Sequence, residues 1–307
     1  MSLPNIIYGK VFWVCSYQNS KKVHWSGKSA QFPWHQSTAS LKIPSRRWIH
    51  ICTFLILSLL LAPSYVFSYT VLWDASHGVY VSSTFGGDGY QPSHDGYYHK
   101  LAEHLSNNDF TIDITSQGFL TDDPAGYDVI VVCLTSAFYN SYTSAEVERI
   151  VDFVDKGGGL LIMGDFKAAP NVNIQPVASA FGITLGVSDL VPTEIYITEH
   201  TSHPIFDGVN EIFMYAAAEL STNTPAFPAA WQEETQKTIA AVAQYGQGRV
   251  VALGDCSLWS WVDMYEERFS VADNPVFAVS TFNYLAVPEP ATLLLLGLGV
   301  ILLRKRR

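Results

Sequence analysis

Apolar positions in the middle of this chain fall into two alternating rhythms. Thr70-Val71-Leu72-Trp73 is a short apolar run closed by Asp74, and it predicts a strand. Beyond Gly86, Gly87 and Gly89, Asp95 is placed to cap a helix running to about Asn107, with Tyr98, Leu101 and Leu105 at helical spacing. Residues 111–115 alternate as a strand. Residues 128–134 are apolar between their ends, as in a strand buried on both faces. Thr143-Ser144-Ala145-Glu146 is a capping box, and Val147, Ile150, Val151 and Val154 keep i, i+3, i+4, i+7 order behind it. Gly157-Gly158-Gly159 ends that helix. Residues 160–163 predict another buried strand, closed by Gly164-Asp165, with a short helix near 176–181.

The pattern loosens over 183–230, where strands are expected near 194–198 and 211–215. Residues 238–244 and 249–253 flank Gly246-Gln247-Gly248, a hairpin turn. Asp273-Asn274-Pro275 opens a last helix with Val276, Phe277, Val279 and Phe282 on its apolar side. Strands alternating with helices imply an α/β fold, a mostly parallel open sheet with helices on both faces, in one domain over residues 69–286.

The ends of the chain follow neither rhythm. Arg46 and Arg47 precede a nearly unbroken apolar run over 48–62, and Val66 and Ser68 suit a cleavage site, so residues 46–68 are expected to be a signal peptide. The alternative is an uncleaved membrane anchor, for which the run is short. Residues 1–45 hold no acid and no sustained period. They are expected to lie outside the working protein through a misplaced start, or to be a disordered cytoplasmic extension.

At the other end, Val287-Pro288-Glu289-Pro290-Ala291 leads into a hydrophobic tail helix over 291–303 and then Arg304, Lys305, Arg306 and Arg307. A helix of that length spans about 20 Å, marginal for a membrane, and the basic end would stay on the cytoplasmic side. Pro-Glu-Pro, a short apolar helix and a basic cluster closely resemble the PEP-CTERM sorting signal of Gram-negative bacteria that secrete extracellular polysaccharide. The resemblance implies recognition by a membrane exosortase and transient anchoring in the inner membrane through a transmembrane helix within the sorting tail over residues 287–307. Delivery to the cell surface or the extracellular matrix, with polysaccharide as a partner, then follows.

Charge sharpens this layout. Residues 1–68 carry a net charge of +7 and 304–307 carry +4, whereas 69–286 hold 27 of the 28 acids and a net −20. Such a domain repels phosphate backbones, which excludes nucleic acid as a partner. Of four cysteines, Cys15 and Cys52 precede the expected mature start. That leaves Cys133 and Cys256, with no zinc-type spacing. Burial is the ordinary fate of each, and an oxidising compartment permits a disulfide between them.

A second resemblance rests on the Val-Leu-Trp-Asp-x-Ser-His-Gly segment of the first strand and the Tyr-Asp-Val-Ile-Val-Val strand. It rests also on the capped helix running into Gly-Gly-Gly-Leu-Leu-Ile-Met-Gly-Asp, and on His203-Pro204-Ile205. These resemble the class I glutamine amidotransferase-like fold, a flavodoxin-like arrangement, and in particular its gliding/intraflagellar-transport relatives. The Gly-x-Cys-x-Gly nucleophile turn of true amidotransferases has no counterpart in Met163-Gly164-Asp165-Phe166. The resemblance implies the scaffold without the activity.

Three apolar strands end in Asp, at Asp74, Asp165 and Asp255, and His77 follows the first. Ligands of open α/β sheets bind beyond the carboxyl ends of the strands, so these four residues are the candidate ligand site. Clustered carboxylates suit Ca²⁺, Mg²⁺ or sugar hydroxyls; the plain alternative is that Asp closes turns and caps helices. His200 and His203 have H-x-x-H spacing in a loop, while His94 and His99 lack an identifiable partner. Trp259 and Trp261 have the chemistry to stack on a sugar, with burial as the alternative. The expected function is a non-catalytic binding or structural module at the cell surface. The competing expectation is a hydrolase or carbohydrate-acting enzyme using the strand-end acids.

Overall fold

The computed structural model describes residues 68–286 apart from 82–85, 137–139, 167–168, 190–192 and 263–265. The chain divides into two units, Met1–Pro63 and Ser64–Arg307, and everything described belongs to the second. The expected extension over 1–45, the signal segment (save Ser68) and the tail over 287–307 lie outside the described residues. So do the sorting residues Pro288, Glu289, Pro290, Arg304, Lys305, Arg306 and Arg307.

Strand β1 (Tyr69–Asp74) leads through a long loop into helix α1 (His99–Ser106) and β2 (Phe110–Thr115). Strand β3 (Val129–Val132), helix α2 (Ser144–Asp155) and β4 (Gly159–Met163) follow, then α3 (Asn171–Ala180) and β5 (Ile183–Asp189). Next come β6 (Glu194–Ile197), β7 (Ile212–Tyr215), β8 (Ala218–Thr222) and β9 (Ala226–Trp231). The hairpin β10 (Thr238–Tyr245) and β11 (Gly248–Leu253), the short pair β12 (Trp261–Val262) and β13 (Glu266–Glu267), and helix α4 (Asn274–Ala286) complete the chain.

Nine strands form the main sheet in the order β2-β1-β3-β4-β11-β10-β8-β5, with β9 also paired to β10. β2, β1, β3, β4 and β11 are mutually parallel, and β3 and β4 carry no exposed residue, as doubly covered strands require. From β11 outward every pairing is antiparallel. The expected mostly parallel sheet is therefore corrected to a mixed one flanked by helices. The hairpin at Gly246 turns the chain back, and β5, β8 and β9 lie in the irregular stretch, where β5 contains Gly186, β9 contains Pro228 and β8 is only five residues long. Gly246 has φ +57°, and a Cβ there would sit 2.2 Å from Asp155 Oδ1, so only glycine lets the hairpin seat against the end of α2.

Two helix starts also differ from expectation. α1 begins at His99 behind an uncapped Tyr98, because 93–98 form turns and exposed Asp95 pairs with His94 instead. α3 begins at Asn171, with Pro176 inside it rather than at its start. The expectation of a membrane-spanning segment is corrected as well: among the described residues no helix is long and apolar enough to cross a membrane.

β1 connects outward to β2, whereas β3 connects through β4 in the opposite direction. Right-handed crossovers then place α1 and α2 on opposite faces, with the switch point between β1 and β3. Packing agrees, since α1 contacts α4 and α2 contacts α3. The carboxyl ends of β1, β3, β4 and β11 form one edge, and the candidate residues sit there.

Candidate functional site

Asp74 ends β1 at the switch point with its side chain buried. The Ser76 backbone N–H donates to Asp74 Oδ1 at 2.9 Å, and the Tyr142 hydroxyl donates to Oδ2. His77 Nδ1 lies 3.2 Å from that same Oδ2, and its Nε2 lies 3.4 Å from Glu146 Oε1. The imidazole stacks on the Tyr142 ring at 4.0 Å between centroids. Burial alone would raise the Asp74 pKa, but its hydrogen bonds from His77, Tyr142 and Ser76 hold it below the usual carboxylate value. Burial alone would lower His77, yet the bond to Asp74 and the charges of Asp74 and Glu146 raise it. The result is a histidine held between two carboxylates.

Glu146 was legible in the sequence only as a cap. Its Oε2 accepts from the Thr143 backbone N–H and hydroxyl, both at 2.7 Å, which closes the capping box. That leaves Oε1 facing His77, so one residue both starts α2 and ties it to the loop after β1. Asn140 donates to the His77 carbonyl oxygen, tying in the segment after β3.

Asp165 and Asp255, on the adjacent strand ends of β4 and β11, form a second and different cluster. The Phe166 N–H donates to Asp165 Oδ1 at 2.7 Å and the Cys256 thiol donates to Oδ2 at 2.9 Å. The Tyr215 N–H donates to Asp255 Oδ2 at 2.7 Å, while the Ser257 N–H and hydroxyl both donate to Oδ1 at 2.6 Å. Burial, then the charge of Asp255, pushes Asp165 well above the usual carboxylate value. Burial raises Asp255 too, against the Ser257 and Tyr215 bonds and the Arg268 charge. Burial first, with the Cys133 bond next, puts the Cys256 thiol well above its ordinary value, so it is no nucleophile in this state. Tyr98, which the sequence offered only as an apolar helix position, reaches both cysteines. Its hydroxyl donates to the Cys256 carbonyl oxygen and lies 3.7 Å from Cys133 Sγ.

All three acids therefore lie on one edge, but they are not brought to one point. β3 intervenes between β1 and β4, and Asp74 takes none of its hydrogen bonds from the partners of the other two. Among the described residues no group of three His, Cys, Asp or Glu side chains could hold a metal ion. The H-x-x-H pair is not a ligand pair either. His200 bonds the Thr201 carbonyl oxygen and stacks on Phe206, while His203 accepts from the Ile205 N–H and packs edge-on against Tyr284. Trp259 is buried in the core beside Phe277.

Trp261 has a different setting. It lies half-buried in a hollow of about 650 Å³ shared with Asp95, Tyr97, His99 and Glu103. The hollow is built from the loops after β1 and β11, and so belongs to the same edge. A smaller hollow of about 340 Å³ on the opposite edge contains Arg149–Asp123 and Lys156–Asp152 ion pairs, which occupy its charged groups with one another.

These features define an exported α/β domain that carries a sorting signal. Residues 286–307 match the PEP-CTERM protein-sorting motif, which supports export to the surface or exterior through exosortase processing. No curated protein matches the chain by sequence. Among solved structures it is similar to the mmIFT52 N-terminal domain, at 17% identity and TM-score 0.55, covering 72% of this chain and 99% of that one. It is also similar to the cytoplasmic protein STM1381 from Salmonella typhimurium LT2, at 17% identity and TM-score 0.51, covering 71% of this chain and 100% of that one. A weaker likeness is to the exo-β-1,4-mannosidase Op5Man5 from Opitutaceae bacterium strain TAV5, at 14% identity and TM-score 0.45, covering 79% of this chain and 39% of that one. The first two likenesses establish an α/β fold in general; the narrower amidotransferase-like, flavodoxin-like identity expected from the sequence goes beyond them.

Proposed function

We propose that residues 69–286 form a non-catalytic binding module, exported by a signal peptide over 46–68 and sorted by exosortase through 287–307. Its ligand is a neutral polysaccharide of the cell surface or matrix. The observation that carries this reading is the hollow beside Trp261. It is open at the edge where α/β sheets take ligands, and it combines an aromatic face with carboxylates and imidazole, the groups that meet a sugar's apolar face and its hydroxyls. The strand-end acids act as its frame, since Asp165 and Asp255 are buried with their oxygens already bonded. A net charge of −20 over 69–286 favours a neutral glycan over an acidic one. Kinship with the gliding/intraflagellar-transport group is part of the proposal, and the shared fold of the mmIFT52 N-terminal domain supports it.

A second reading, a carbohydrate-acting hydrolase, is favoured by the contrast on one edge between Asp165, whose pKa is raised, and Asp74, whose pKa is lowered. Paired carboxyls whose environments push their pKa values apart are what general acid–base chemistry uses. Affinity electrophoresis of the full chain in gels cast with galactomannan, β-glucan or alginate separates the two. Retardation by a neutral glycan, reduced roughly tenfold by Trp261→Ala and without new reducing ends, supports the binding module. Release of reducing ends that Asp165→Asn abolishes would replace it with the hydrolase. No retardation and no release would refute both.

A further inference from the structure

Two thiols with no bond between them meet at the edge where the strand-end acids lie. Cys133 follows β3 and Cys256 follows β11, on either side of β4, and both are buried. Both flank the Tyr98 hydroxyl, Cys133 through its sulfur and Cys256 through its carbonyl oxygen, while the Cys256 thiol donates to Asp165 Oδ2. Tyr98 fixes the pair from α1, with its hydroxyl 3.7 Å from Cys133 Sγ and bonded to the Cys256 carbonyl oxygen. Two buried cysteines gathered around one tyrosine hydroxyl, in a protein that leaves the reducing cytoplasm, are the setting in which a disulfide forms.

We infer that Cys133 and Cys256 are joined by a disulfide in the exported protein, made by exchange with the disulfide of a protein thiol oxidase in the export compartment. The Cys133 thiolate attacks one sulfur of the oxidase disulfide and expels the other as a thiolate, leaving a mixed disulfide. The Cys256 thiolate then attacks Cys133 Sγ and expels the second oxidase sulfur. Two cysteine thiols lose two electrons and two protons, and the oxidase disulfide becomes a dithiol. The native core encloses both sulfurs, so the exchange belongs to folding, before β4 and α1 close over them. The bond clamps the edge: it ties the loop behind β3, which holds His77 through Asn140, to the turn behind β11, which holds Asp255 through Ser257. The segment it closes is about 120 residues long, a length at which a cross-link restrains the unfolded chain strongly.

The test takes the full chain from the cell exterior and denatures it with an alkylating reagent, with and without prior reduction, before peptide mass analysis. The inference expects Cys133 and Cys256 unalkylated without reduction and present in one linked peptide two hydrogens lighter than the sum. It expects both alkylated after reduction, with the melting temperature falling by roughly 5–10 °C. Cys133→Ser should leave Cys256 open to the reagent without reduction. Alkylation of both cysteines in unreduced wild-type protein overturns the inference, and so does linkage of either to Cys15, Cys52 or another chain. The wild-type measurement decides the matter even if the variant fails to fold.

Discussion

Asp74 and Asp165 each end an apolar strand of one parallel set, and both are buried at the same edge, yet their ionisation is pushed in opposite directions. Burial raises the pKa of both. Asp74 overcomes it with donors from Tyr142, Ser76 and the raised His77, which Glu146 helps to keep charged. Asp165 has a thiol and one backbone N–H for donors, and a second carboxylate, Asp255, beside it. Like position at one edge thus does not decide charge; the balance of burial against the inventory of partners does. The first cluster works as a charged clasp between β1 and α2, the second as a buried, closed plug that favours a proton on Asp165.

The sharpest break of that contrast is Asp74→Ala. It strips Tyr142 and His77 of their shared acceptor and leaves a buried imidazole beside Glu146 alone. Urea unfolding near neutral pH should show a loss of about 3 kcal/mol. A loss below about 1 kcal/mol would mean the clasp is not charged. Glu146→Gln is the gentler probe, because glutamine still fits a capping box. It should cost about 1 kcal/mol at mildly acidic pH. His77 has a folded pKa above its ordinary 6.5, so the stability it contributes is full below that value and fades as pH rises through the folded pKa. The Glu146→Gln deficit should shrink over the same rise, and a deficit constant with pH would reassign Glu146 to capping alone.

The sequence made the clasp half visible. Asp74, His77 and the Thr143–Glu146 box are all local signals, the first two three residues apart and the box a fixed spacing. What joins them is the register of β1 beside β3 and the switch in connection direction, which no local period carries. The same limit explains the sheet. β3 and β4 announce themselves as unbroken apolar runs because they are covered on both faces, while Ala218–Thr222 and Ala226–Trp231 are short, and Pro228 interrupts the second. Asp165 and Asp255 could be placed on one edge from their strands. The rise in their pKa values could not be foreseen, because it depends on how completely the fold buries both acids and on Asp255 lying beside Asp165, against the bonds from Tyr215 and Cys256 that favour the charged forms.

The smallest effect is expected from Asp165→Asn, which tests the plug. In the folded protein burial and the Asp255 charge favour a proton on Asp165, so an amide of the same shape stands in for the protonated form that this setting favours. One of its two bonds, from the Phe166 N–H or the Cys256 thiol, must change character, which sets the cost at about 0.5 kcal/mol at acidic pH. The pH dependence is the stronger signature. A carboxyl with its folded pKa above the unfolded 3.8 contributes stability in full below 3.8 and loses it as pH rises through the folded value. Asparagine cannot titrate, so wild type should lose ground to the variant between about pH 4 and pH 8, until the deficit closes or reverses. Unfolding in urea at both ends of that range, under reductant so that Cys256 stays a thiol, measures the difference. A deficit that widens with pH would mean that Asp165 is ionised in the folded state like Asp74. The two acids would then share one mode of stabilisation, and the contrast between clasp and plug would fail.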